Sequence, residues 1–175
     1  MGKRSDFKRH KGDFYVTPYE AVVPLIQHLP FAGKRLQFWE PCAGDGTLIG
    51  HLCSFGLELF RGTDTEPKAD GVEVQDALEI RKSFDGCDAF ITNPPWSRNI
   101  LHPIIDNLRR LHPTYLLFDA DWMHTKQAAP YLKYCNLIVS VGRVKWIADS
   151  KHTGKDNACW YLFESAPQET KFIGR

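Results

Sequence analysis

Two consecutive prolines, Pro94 and Pro95, place the tightest constraint on how this chain can fold. They follow the apolar run Ala89–Thr92, and neither proline can donate a backbone N–H to a β-ladder. Each proline also keeps the residue before it in an extended conformation. The pattern predicts a strand that ends at Thr92 or Asn93 and leads into a stiff turn, which carries one side-chain amide and the large ring of Trp96.

Strand-like and helix-like patterns alternate along the rest of the chain. Helices are predicted over 19–29, 47–55, 77–82, 97–111 and 127–134, and strands over 35–39, 57–62, 72–76, 89–92, 114–118, 137–141 and 158–163. Such alternation is typical of βαβ units with a parallel sheet between layers of helices. We therefore expect an α/β fold with a single doubly wound, mostly parallel seven-stranded sheet, whose last strand is antiparallel.

Composition favours one soluble domain. The 175 residues are 43% apolar and 25% charged, with a net charge of +1, which is ordinary for a globular protein with a sizeable core. The basic residues crowd the first eleven positions, so we expect a basic flexible arm over 1–12, a domain over 13–166 and a C-terminal tail over 167–175. The arm could contact phosphates or simply be solvated.

The cysteines and the apolar runs exclude several classes of protein. The five cysteines are scattered, and no Cys-x-x-Cys pair occurs. Disulfides and a structural zinc are therefore not expected, and reduced thiols fit a cytoplasmic protein. No apolar run reaches 18 residues, so no membrane span is expected. We predict no metal site.

A glycine-containing turn, 40–46, follows the strand predicted over 35–39. Gly44 and Gly46 would let the backbone approach a ligand closely, although a plain left-handed turn has the same pattern. The third glycine of a dinucleotide fingerprint is missing. Glu40 at the strand end would repel a pyrophosphate, and it suits a ligand with an ammonium group or a hydroxyl.

Two acids follow the next two predicted strands. Asp64 ends the second strand, where an acid commonly accepts hydrogen bonds from ribose hydroxyls. Asp76 ends the third strand. The alternative for Asp64 is a helix N-cap or a turn. Because the carboxyl ends of parallel strands lie at one edge of a sheet, these acids, the glycine turn and Asn93 are expected at the same edge.

Taken in order, the segment 13–18 (Asp-Phe-Tyr-Val-Thr-Pro), the turn 40–46, Asp64, Asp76 and the Asn-Pro-Pro-Trp turn resemble the S-adenosylmethionine-dependent adenine-N6 DNA methyltransferases. The resemblance covers about residues 13–163 and is greatest to small phage-encoded members. Asn-Pro-Pro-aromatic alone is shared with methyltransferases that act on RNA adenines and on protein glutamines. Cytosine-N4 methylation more usually has Ser in place of Asn93.

The resemblance implies a Rossmann-like class I methyltransferase fold, S-adenosyl-L-methionine as cofactor and a role for each motif residue. Asn93 and the Pro94 carbonyl would accept hydrogen bonds from the target amine, Pro95 would stiffen the turn, and Trp96 would stack on the target base. The cofactor-binding set would be Tyr15, Thr17, Glu40, Pro41, Ala43, Gly44, Gly46, Asp64, Asp76 and Asn93. Cys42 departs from the acidic or small residue that the family often has.

No insert is long enough for a separate target-recognition region. Candidates for substrate contact besides Trp96 are Trp122, Arg143, Trp146 and Lys151. Either of the tryptophans Trp122 and Trp146 could equally pack in the core. We expect DNA as the partner, including single strands, with loose or very short sequence preference. RNA is the alternative substrate, and a nucleic-acid-binding module without turnover is a third hypothesis.

Overall fold

The computed structural model describes residues 15–30, 35–146, 154 and 156–175. The α-helices are α1 (Tyr19–Ile26), α2 (Thr47–Ser54), α3 (Arg98–Leu108) and α4 (Ala129–Leu132), and two 3₁₀ segments cover Ala77–Glu79 and Ala120–His124. The strands are β1 (Gln37–Glu40), β2 (Glu58–Asp64), β3 (Glu73–Val74), β4 (Ala89–Thr92), β5 (Thr114–Asp119), β6 (Cys135–Arg143), β7 (Asn157–Phe163) and β8 (Lys171–Ile173).

All eight strands form one sheet in the order β3-β2-β1-β4-β5-β7-β6-β8. The five strands β3, β2, β1, β4 and β5 run parallel to one another, and β7 runs antiparallel to both β5 and β6. The predicted α/β, mostly parallel fold is confirmed. The strand order reverses between β1 and β4, and ligands of open α/β sheets bind beyond the carboxyl ends of the strands at such a point.

Apolar side chains cover both faces of the sheet. On one face α1 buries Ala21, Val22 and Leu25 against the sheet. On the other face α3 buries its apolar stripe: Leu101, Ile104, Ile105 and Leu108. Burial on both faces explains why β4 and β5 are continuous apolar runs rather than alternating ones.

A buried hydrogen bond joins α1 to β7, the antiparallel strand of the sheet. The Trp160 indole on β7 donates to the Ala21 carbonyl at 2.8 Å. Pro24 lies inside α1, and the helix ends at Ile26 rather than at the predicted position 29. Because the hydrogen bond to Trp160 fixes α1 on the sheet, the segment ahead of α1 lies at the edge where the parallel strands end.

The predicted C-terminal tail requires a correction. Residues 171–173 form β8, which pairs in parallel with β6 through Leu137, Ile138 and Val139. Ile173 packs against the core on the α1 face, whereas Phe172 is 58% exposed. Within the described residues the sheet therefore has eight strands, and its antiparallel strand, β7, is followed along the chain by the parallel strand β8. The arm predicted over 1–12 lies outside the described residues.

Three further elements are reduced to a single turn or to two residues. The helix predicted over 127–134 is the single turn α4, the helix over 77–82 is a 3₁₀ turn, and β3 has two exposed residues at the sheet edge.

Across the described parts of the chain, no helix is both long enough and apolar enough to span a bilayer.

Candidate active site

The turn after β1 is fixed to β2 by backbone contacts. Gly44 and Gly46 have positive φ angles of 54° and 74°, a conformation that costs glycine little. The Ala43 N–H donates to the Thr63 carbonyl at 2.9 Å, and the Gly44 N–H donates to Asp64 Oδ2 at 2.8 Å. The turn is therefore held in place ahead of α2, without the help of a ligand.

Asp64 has a structural role besides any role toward a ligand. Its Oδ2 accepts from Gly44, and its Oδ1 accepts from the Glu66 N–H at 2.8 Å. A carboxylate offers about four acceptor positions, so two remain for hydroxyl donors. Asp76 lies two residues beyond Val74, the partner of Asp64 in the β2–β3 pairing, and its Oδ1 caps the 3₁₀ turn through the Leu78 N–H. The predicted meeting of both acids at one edge is therefore present.

Glu40 is the most unusual ionisable group of the site. Its side chain is 2% exposed, and Oε2 has no hydrogen-bond partner among the described residues. Burial, reinforced by the carboxylates of Asp45 and Asp64, raises its pKa well above the ordinary value of a glutamate. Among the residues that the structure describes, no positively charged side chain is paired with this buried carboxyl, which lies beside two other acids. A cationic ligand group at this position would supply one.

Cys42 carries a protonated thiol. Burial, followed by the charges of Asp64 and Glu40, raises its pKa above the ordinary value of a cysteine. Since the thiolate is the nucleophilic form, Cys42 is a neutral, unreactive part of the turn. The departure from an acidic residue at this position also spares the site a further negative charge.

Asn93, the residue after β4, has a defined amide orientation. Its Nδ2 donates to Thr17 Oγ1 at 3.1 Å and makes a longer 3.5 Å contact with the Tyr15 carbonyl. Its Oδ1 accepts from Trp96 Nε1 at 3.1 Å. An indole N–H can only donate and a carbonyl can only accept, so the chemistry of the neighbours assigns the oxygen and the nitrogen. Asn93 is half-buried at the sheet edge.

The rings of Trp96, Trp146 and Tyr15 form an aromatic group beside Asn93. Trp96 is half-buried and contacts the cores of both faces. The Trp96 and Trp146 rings lie edge to face, with centroids 5.5 Å apart, and the Tyr15 ring is 6.5 Å from that of Trp146. The structure thus brings together predicted site residues from three segments: Tyr15 and Thr17, Asn93 and Trp96, and Trp146.

Trp122 does not belong to this group, which corrects a prediction. It is 1% exposed and packs against Phe118, Tyr161 and Phe163. Its indole donates to His102 Nε2 at 3.0 Å. The 3₁₀ turn after β5 folds the ring into the core, so no face is left for a base to stack on.

Two basic residues were predicted to contact the substrate, and the structure describes one of them. Arg143 is exposed at the end of β6, whose carboxyl end lies at the same edge as that of β5. Lys151 lies outside the described residues. Whether either binds substrate stays a prediction.

Asp119 is a strand-end acid of this edge that was not among the predicted site residues. It ends β5, and its Oδ1 accepts from the Asp121 N–H at 2.9 Å. Burial raises its pKa, as do the charges of Asp121 and Asp156, while Arg98 opposes the shift. Its position at a strand end, like those of Asp64 and Asp76, was the available signal.

In the described ranges, no group of His, Cys, Asp or Glu side chains is placed to hold a metal ion.

Neither a family model nor a curated protein sequence matches this chain. Solved structures do resemble it. A protein from Pyrococcus horikoshii, provisionally assigned as an RNA methyltransferase, is 18% identical with a TM-score of 0.63, over 94% of this chain and 93% of its own. A chain of a type I restriction–modification system is 16% identical with a TM-score of 0.59, over 95% of this chain and 46% of its own.

A third structure, the 23S rRNA methyltransferase ErmE, is 14% identical with a TM-score of 0.54, over 90% of this chain and 73% of its own. The fold of this chain is that of the class I methyltransferases, with the antiparallel β7 inserted between β5 and β6. The resemblance to the adenine-N6 DNA methyltransferase family stays a prediction.

Proposed function

We propose that this chain transfers a methyl group from S-adenosyl-L-methionine to the N6 amine of adenine in DNA. The orientation of the Asn93 amide is the observation that carries the proposal. Its oxygen is held at the carboxyl end of β4, the strand beside β1, whose glycine turn is the candidate cofactor cradle. An acceptor beside a nucleotide-type turn is the arrangement that amine methylation needs.

Buried Glu40 supports the choice of cofactor. S-adenosyl-L-methionine carries an ammonium group and a sulfonium centre, and either would offset the unpartnered carboxyl oxygen. The turn from Pro41 to Gly46 would hold the methionine part, and Tyr15 and Thr17 would close over it. Asp64 would accept the ribose hydroxyls and Asp76 the adenine amino group. The bound cofactor would supply an electrophilic methyl group.

Asn93 and Pro94 would prepare the target amine. The N6 lone pair of adenine is delocalised into the ring, so the amine is a poor nucleophile. Asn93 Oδ1 has a second lone pair beside the one that Trp96 uses, and the Pro94 carbonyl is a further acceptor. Two acceptors on a stiff turn can bind both N–H groups and hold the nitrogen toward tetrahedral geometry. Positioning and preplaced acceptors supply the acceleration.

A duplex base would have to leave the stack to reach Asn93. The aromatic group of Trp96, Trp146 and Tyr15 offers rings beside that position, and stacking on such a ring contributes about 1–3 kcal/mol per base. Arg143 and Lys151 would contact phosphates. No insert in the sequence is long enough for a separate target-recognition region, so we expect a loose or very short sequence preference.

Adenine in RNA is the second candidate substrate. The P. horikoshii protein is assigned as an RNA methyltransferase and is covered over 93% of its length, and ErmE acts on 23S rRNA. The Phe-Tyr-Val-Thr-Pro segment ahead of α1 favours a nucleic acid over a protein as the substrate, and the resemblance to adenine-N6 DNA methyltransferases is our reason for placing DNA first. A module without turnover is disfavoured because every polar position that the chemistry needs is filled.

Tritium transfer from labelled cofactor to duplex DNA, single-stranded DNA, RNA and protein, run in parallel, tests the proposal. Digestion of the labelled polymer then identifies the modified nucleotide. We expect the label in N6-methyladenine from DNA. Label in RNA adenine would move the assignment to the second candidate, and label in protein or in none of the four would contradict adenine methylation altogether.

A further inference from the structure

We infer that Trp96 acts as a positioning residue, whose indole N–H fixes the orientation of the Asn93 amide. This inference rests on the proposed function, because the oxygen of Asn93 matters only if it accepts from a substrate. It differs from the stacking role that the resemblance implies for Trp96. Stacking needs only an aromatic ring, whereas the positioning role needs the N–H of a tryptophan.

The partners of Asn93 divide into those that decide its orientation and one that does not. The Trp96 N–H, 3.1 Å from Oδ1, can only donate. The Thr17 hydroxyl, 3.1 Å from Nδ2, can donate or accept, so it would suit either orientation. The Tyr15 carbonyl can only accept, but at 3.5 Å it contributes little. Trp96 is therefore the strong partner that distinguishes the two orientations.

A flipped amide would direct N–H groups toward the incoming amine. An amine donor facing an amide donor has no hydrogen bond, and the site would lose the acceptor that the reaction requires. Rotation about the Asn93 side chain costs little by itself, since only its hydrogen bonds favour one orientation over the other. The Trp96 N–H thus keeps an oxygen where the target nitrogen needs one.

The surroundings of Trp96 keep this donor in place. Its ring contacts the cores of both faces and lies edge to face with Trp146 at 5.5 Å. Asn93 and Trp96 are three residues apart across Pro94 and Pro95, whose rings limit the turn to few conformations. A tyrosine or phenylalanine could occupy the same space, but neither has a ring N–H to donate to Asn93 Oδ1.

The Trp96→Phe and Trp96→Ala variants separate the two roles. With the positioning role, Trp96→Phe keeps the KM for the nucleic acid and lowers kcat about tenfold, the factor expected from one hydrogen bond. Trp96→Ala lowers kcat and also raises KM. A Trp96→Phe variant with wild-type kcat, or with only KM changed, would overturn the inference in favour of stacking.

Trp122→Phe is the matched control. It removes an indole N–H that donates at 3.0 Å to His102, in the core on the α3 face and away from Asn93. We expect it to lower the melting temperature and to leave kcat per folded molecule unchanged. An equal loss of kcat in Trp122→Phe and Trp96→Phe would mean that the effect is general destabilisation, which would also overturn the inference.

An NMR measurement tests the contact without activity. In ¹⁵N-labelled protein the Trp96 indole N–H should shift in the Asn93→Ala variant, and the Asn93 amide protons should shift in Trp96→Phe. If neither signal moves, the hydrogen bond is absent and the inference fails, whatever the assays show. If both move but the wild type labels no nucleic acid, the contact stands and the proposed function fails.

Discussion

At the scale of single residues, three acidic side chains lie close together in the site, and their proximity does not stabilise the fold. Glu40 is buried beside Asp45 and Asp64, with one oxygen unpartnered within the described structure, and its pKa is raised. Such a group is costly to the apo fold. Natural proteins keep costly buried groups at binding sites, so the environment of Glu40 is a physical argument for a cationic ligand.

The Glu40→Gln variant should separate stability from binding. A raised folded-state pKa means that the contribution of this carboxyl to stability is fully present below its unfolded pKa and is lost as pH rises through the folded value. Glutamine does not ionise, so the apo variant should melt above the wild type at neutral pH, by about 2–4 °C per kcal/mol. The difference should shrink toward acid pH. Thermal melts from pH 4 to pH 8 measure it.

The same variant should bind S-adenosyl-L-methionine about tenfold more weakly or worse, because a charge-assisted contact is lost. Isothermal titration calorimetry measures the affinity, with Glu66→Gln, a change at an exposed acid of the neighbouring turn, as the control. If the difference in melting temperature between wild type and Glu40→Gln were the same at every pH, the carboxyl of Glu40 would ionise freely in the folded protein, which would contradict the raised pKa.

At the scale of elements, β8 shows where local pattern stops being informative. Its three residues follow an exposed polar stretch, and only the pairing with β6, some 34 positions earlier in the chain, makes them a strand. The strand β4 was predictable because the prolines end it. The bond from Trp96 to Asn93 was not, since it depends on the path of the turn, and the burial of Trp122 depends on how a 3₁₀ turn folds over β5.

Two neighbouring substitutions test the role of β8. Ile173→Ala should lower the melting temperature by several degrees, because its side chain packs against the core on the α1 face. Phe172→Ala, on a side chain that is 58% exposed, should change it by much less. Differential scanning calorimetry of both variants makes the comparison. Equal, negligible shifts would mean that residues 167–175 are the tail predicted from the sequence.

At the scale of the whole molecule, the strand order explains why scattered motifs form one site. The placement of β1 between β2 and β4 brings the glycine turn, Asp64 and Asn93 to one edge, and α1 holds Tyr15 and Thr17 above it. The shared edge of the glycine turn, Asp64 and Asn93 followed from the alternating pattern and the strand-end residues, whereas the place of Tyr15 and Thr17 was expected only from the resemblance. The P. horikoshii structure is matched over 94% of this chain and the restriction–modification chain over 95%, so the likeness is that of the whole domain fold.

The central claim is that the Asn93 oxygen activates the target amine. The most direct test is the single-turnover rate of methyl transfer by Asn93→Ala at saturating cofactor, together with its Kd for S-adenosyl-L-methionine. We predict a rate at least a hundredfold lower, comparable to the loss of one preorganised electrostatic contact of about 3 kcal/mol, with a nearly unchanged Kd. An Asn93→Ala variant that transfers methyl groups at the wild-type rate would contradict the account.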